Sequence, residues 1–125
     1  MLRSAALVII STFFLLTSSW ANTDEEWAFT YKPFSGSYEI YGGQLGDMNA
    51  PKKGDKKIAF KIDKNAAEEM FNGMGVDVKN KCSSEVGERM RQKKELICLR
   101  SSKGKYSCYF SFDLKTGKSS AGSIC

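Results

Sequence analysis

The chain has 125 residues, a formal charge of +5, four cysteines and no histidine. That length supports one domain rather than two. The missing histidine removes the usual general base of Ser and Cys nucleophilic triads, the commonest zinc ligand and the H-E-x-x-H metalloprotease helix.

Arg3 opens a short positive region, and residues 5–16 are then apolar apart from Ser11 and Thr12. This run is shorter than the roughly 20 apolar residues that span a bilayer, and it fits the core of a secretory signal. Ser19 and Ala21 put small side chains where a signal peptidase cuts, and Asn22 begins a polar, acidic stretch through Asp24, Glu25 and Glu26. The expectation is a cleaved signal over residues 1–21 and one domain over residues 22–125, in the periplasm or secreted. No later stretch is apolar enough for a membrane span. The 104 residues left after cleavage keep a charge of +4. A chain of that size buries roughly 65% of its unfolded surface, a modest core that covalent staples would reinforce.

In the mature region Trp27, Phe29 and Tyr31 alternate with smaller residues, the period of a strand or of a loose aromatic arm. Pro33 and a Ser35-Gly36 turn end it, residues 38–41 form a second short strand, and Gly42-Gly43 opens a long turn-rich loop over residues 42–55. Ile58, Phe60 and Ile62 alternate with Lys57, Ala59 and Lys61 as in a half-buried strand. Next, Asn65 with Glu68 three residues on resembles a capping box, and Ala67, Met70, Phe71 and Met74 fall on one helical stripe. That predicts an amphipathic helix ending near Gly73 or Gly75. Asp77 is expected to cap a short turn leading to Cys82.

Beyond the helix the pattern is β: a long strand over residues 88–101, a turn at Ser102-Lys103-Gly104, a strand over 105–114, a turn at Lys115-Thr116-Gly117 and a last strand over 118–125. Tyr106, Cys108, Phe110, Phe112 and Leu114 share one face of the middle strand and form the clearest core face in the chain. Phe71, Phe110 and Phe112 are expected to meet between helix and sheet. The predicted class is α+β: a disulfide-stapled antiparallel meander with one helix packed on one face.

Cys82, Cys98, Cys108 and Cys125 are separated by 15, 9 and 16 residues, so no C-x-x-C pair exists and a structural disulfide framework is the expectation. Four cysteines permit three connectivities. If Ser102-Lys103-Gly104 is a three-residue loop with Gly104 left-handed, Cys98 falls opposite Cys108, which leaves Cys82 for Cys125. A bulge near Ala121-Gly122 would instead favour the sequential pairing of Cys82 with Cys98 and of Cys108 with Cys125.

The run Tyr41-Gly42-Gly43 followed by Gly46-Asp47, the lysine-rich strand, the Ala-Ala-Glu-Glu-Met-Phe helix and the closing Phe112-Asp113-Leu114-Lys115-Thr116-Gly117-Lys118 segment with its terminal cysteine resemble small exported bacterial proteins of uncharacterised function. In compartment and design the chain is similar to periplasmic lysozyme inhibitors and immunity proteins. The resemblance implies a compact exported domain and assigns no site residues.

No spacing makes a recognisable catalytic pair of Asp47, Asp55, Asp77, Glu85 and Glu88, and neither cofactor nor metal is expected. The expectation is a non-enzymatic binding protein that blocks a protein partner such as a toxin or a cell-wall hydrolase. The other readings are a module for anionic envelope polymers and a small carboxylate hydrolase. Export argues against nucleic acid as the partner of the basic clusters at Lys52, Lys53, Lys56 and Lys57 and at Arg89, Arg91, Lys93 and Lys94. Arg89, Arg91 and Lys93 share one strand face, where like charges need either solvent or an anionic partner. They are the candidate partner contacts, with Gln44 and Asp47 of the glycine-rich loop as a second contact. On this reading, replacing both arginines by Ser weakens binding about tenfold and leaves stability nearly unchanged.

Overall fold

The computed structural model describes residues 29–80 and 83–123. The expected signal, Trp27, Cys82, Cys125 and any bridge between those two cysteines lie outside the described residues. Every strand and helix among the described residues belongs to one compact unit, Lys32–Cys125.

The α+β class holds: one helix packs on an antiparallel sheet. In chain order the elements are β1 (Ser35–Gln44), β2 (Asp47–Asn49), β3 (Lys57–Asp63), α1 (Lys64–Gly73), β4 (Arg89–Lys93), β5 (Leu96–Arg100), β6 (Tyr106–Asp113) and β7 (Ser119–Ser120). The strands lie in the order β2-β1-β3-β6-β5-β4, and β7 pairs with the end of β6 that β5 does not reach.

Several boundaries differ from the sequence reading, each for a local reason. Residues 29–34 form no strand, whereas β1 runs unbroken through the expected Ser35-Gly36 turn. Gly36 is there because a side chain at that position would collide with the Lys61 carbonyl on β3. The loop over residues 42–55 contains a hairpin, with Gln44 opposite Asp47 across a two-residue turn. Gly43 has a φ of +74°, and Gly42 lies against Asn49 and Ala50, so the paired glycines let β2 fold back tightly.

The helix begins at Lys64 with Asp63 as N-cap and no side-chain cap, so Asn65 does not start a capping box. β3 runs into α1 without a loop, and Lys64 makes the reversal at φ 57°, a left-handed conformation costing a non-glycine residue about 1 kcal/mol. The predicted stripe is the packed one: Ala67, Phe71 and Met74 are buried against Ile62, Cys98 and Cys108, with Met70 half-buried beside them.

The long strand expected over residues 88–101 is instead the β4–β5 hairpin, turning at Lys94-Glu95 with Lys94 at φ 52°. The following turn is as expected. Gly104 is left-handed, Ser101 accepts from Gly104 N and donates its own N–H to Lys105 O, and Cys98 sits opposite Cys108, to which it is disulfide-bonded. This excludes the sequential alternative.

At the second turn the register shifts by one, because Asp113 pairs with Lys118 where Leu114 was expected to. The Asp113 carboxylate accepts from Lys115 N at 2.8 Å and Thr116 N at 3.0 Å, bending the chain one residue early. Leu114 lies just past the end of β6 and is 53% exposed rather than in the core expected for it. The segment past β7 runs back across β6 with Gly122 buried against the backbone of Phe110. Around β6, the hydroxyls of Tyr41 and Ser120 each lie 2.9 Å from the buried Ser111 Oγ.

Candidate binding surface

Register places Arg89, Arg91 and Lys93 on the face that carries the helix, as the alternation implies. Two of the three are already engaged. The Asp77 carboxylate accepts from Arg89 Nε at 2.7 Å, Arg89 Nη2 at 3.1 Å and Arg91 Nε at 2.9 Å. Arg91 also donates from Nη1 to Phe71 O at 2.7 Å, near the helix C-terminus, where a positive charge is favourable. Its guanidinium stacks 4.2 Å from the centre of the Phe71 ring, with that of Arg89 at 5.3 Å. The Arg91 side chain is 14% exposed. Asp77 is thus the internal counter-ion of the basic strand and not a turn cap. These contacts lock α1 onto β4, so near-neutral stability on replacing both arginines is not what the geometry supports.

The two arginines hold the Asp77 carboxyl down at about 2, Arg89 contributing most. A carboxyl lowered on folding stabilises the fold above its unfolded value near 3.8, and that contribution is lost as pH falls toward 2. Urea midpoints followed from pH 5 to pH 2 should therefore fall more steeply for the parent than for Asp77→Asn. Equal slopes would mean that this ion pair does not stabilise the fold.

Gln44 and Asp47 are exposed and face each other at the tip of the β1–β2 hairpin. They lie at one edge of the sheet and β4 at the other, with β3, β6 and β5 between β1 and β4, a separation of about 19 Å at normal strand spacing. The expected partner contacts therefore do not converge. Lys93, exposed beyond the ion pair, instead borders a different feature.

Because α1 covers only part of its sheet face, an apolar area stays open beside it. Phe60 and Phe110 stack at 5.1 Å, Phe112 meets Phe110 edge-on at 5.7 Å, and Met70 and Leu96 close one side. Together with Lys93 and Lys94, four of these residues (Met70, Leu96, Phe110 and Phe112) line a groove of about 340 Å³. Phe112 is 37% exposed, so it belongs to this open surface and not to the interior expected for it, while Phe71 packs instead against Tyr106. The apolar area continues through Ile58 to Ile40 and Tyr38, which is 69% exposed. Residues 35–41 of β1 pair with β3 on one side, and among the described residues no strand pairs with their other side. Sequence periodicity marks these residues as one face. It gives no sign that a ten-residue helix would leave part of that face open.

Comparison with protein-family models, curated proteins and solved structures finds no match.

Proposed function

We propose that the protein is an exported, non-enzymatic binding protein that blocks a protein partner, such as a toxin or a cell-wall hydrolase, through this open face. The observation that carries the reading is the aromatic surface beside the helix, where Tyr38 and Phe112 are exposed over the half-buried Phe60 and Phe110 and Lys93 and Lys94 border the groove. Aromatic anchors in a shallow groove with charged residues at the rim are the usual composition of a protein-binding site. Among the described residues no strand pairs with the outer side of residues 35–41 of β1, and a partner strand can add there.

The basic strand is a poorer candidate for an anionic polymer, since Asp77 already neutralises part of its charge. For carboxylate hydrolysis, Asp55 is bound to Lys57 and Gly43 N, and Asp113 to its own turn.

A panel of cell-wall hydrolases assayed with added protein should reveal stoichiometric inhibition of at least one. Tyr38→Ser and Phe112→Ser should each weaken it about tenfold or more. Full inhibition by both variants, or substrate turnover by the chain itself, would contradict the proposal.

A further inference from the structure

A second feature lies at the end of the sheet where the turn at residues 52–55 meets the loop at residues 114–117. Leu114 N donates to Lys56 O at 2.9 Å, which fixes the two loops to each other. Lys52 and Asp55 exchange backbone hydrogen bonds across a turn whose Gly54 has a φ of +80°. Lys53, Lys56 and Lys115 surround a concavity of about 600 Å³ with Leu114 in its wall.

The nearby acids are turned elsewhere. Asp55 accepts from Gly43 N at 3.0 Å and pairs with Lys57 at 2.8 Å, while Asp113 closes its own loop. Ion pairs among the described residues involve Lys57, Lys61, Arg89 and Arg91, and none of these three lysines. The fold thus places three lysines around one exposed leucine, and among the described residues no carboxylate pairs with them. A free anion or a glycan would use the lysines but gives the leucine no role. A phospholipid surface uses both: headgroup phosphates meet the lysines, and the leucine enters the boundary with the acyl chains.

We propose that this concavity docks the protein on an anionic lipid surface, with Lys53, Lys56 and Lys115 on headgroup phosphates and Leu114 inserted between them. The inference is independent of the partner-blocking function above, which uses other residues.

Sedimentation with phosphatidylcholine vesicles, with and without phosphatidylglycerol, tests it, and comparison against variants of the same protein cancels any contribution from other segments. Binding should require phosphatidylglycerol and weaken as salt rises. The triple variant Lys53→Gln/Lys56→Gln/Lys115→Gln should bind about a hundredfold more weakly, given roughly fivefold per lysine. Leu114→Ser should lose about tenfold. Replacement of all three lysines by Arg should retain binding, and the urea midpoint of the Gln variant should match the parent. Equal binding to both vesicle types, or undiminished binding by the Gln variant, would overturn the proposal. So would saturable binding of inorganic phosphate without vesicle binding, which would make this a free-phosphate site.

Discussion

Phe71→Ala is expected to lose about 3–5 kcal/mol of unfolding free energy, the range for truncating a well-packed aromatic core residue. Phe71 is fully buried, and its ring is used on two sides at once. One side meets Tyr106 at 5.3 Å in an edge contact, and the guanidinium of Arg91 lies over the ring at 4.2 Å. Truncation opens a cavity in a small core and also removes the support under Arg91. Part of the stability of so small a domain comes from the Cys98–Cys108 bridge, which the substitution leaves intact. Urea unfolding read by near-ultraviolet circular dichroism measures the loss. A change below about 1 kcal/mol would place the helix stripe outside the core.

Gly122→Ala is expected to unseat the C-terminal segment. A methyl group there would overlap the backbone of Phe110, in the middle of β6, where no side-chain rotation can relieve it. The chain must move away, and that motion pulls on β7 and on the Ser120 hydroxyl paired to Ser111. Overpacking of this kind costs about 1–3 kcal/mol, and the backbone contact favours the upper end. Amide hydrogen exchange should rise at Ser111, Phe112, Ser119 and Ser120 while the β4–β5 hairpin stays protected. Unchanged exchange and an unchanged urea midpoint would show that Gly122 does not cross β6 as described.

The parts of the fold legible in the sequence were those with a local, stereochemical cause. Gly104 set a loop length, the loop length set a register, and the register put Cys98 opposite Cys108. The spacing of Ala67, Met70, Phe71 and Met74 likewise identified the buried side of the helix. What escaped had no local marker. The β4–β5 hairpin turns at Lys94-Glu95 without glycine, proline or asparagine, so its charged run reads as the middle of one strand. Leu114 continues the alternation of β6, and only the bonds of the Asp113 carboxylate to the next turn show that it leaves the strand.

The setting of the candidate arginines was not legible, for a tertiary reason. Arg89, Arg91 and Lys93 do share a face, but Asp77, twelve and fourteen residues from the two arginines, returns to pair with both. No pairwise pattern in the sequence announces that encounter. The open aromatic surface was half legible, since the alternation of β3 and β6 names its residues while the extent of the helix cover decides which of them stay bare.

The ion pairs and stacking make the basic strand part of the scaffold, which leaves the proposed binding to the aromatic face. Urea unfolding of Arg91→Ser at neutral pH tests that scaffold role most directly. The substitution removes charge-assisted hydrogen bonds to Asp77 and Phe71 O together with the stacking on Phe71. The expected loss is about 2–3 kcal/mol, in line with a largely buried hydrogen-bonded charge. A loss below about 0.5 kcal/mol would contradict the account, free the arginines from a structural role and return them as the contacts for an acidic partner.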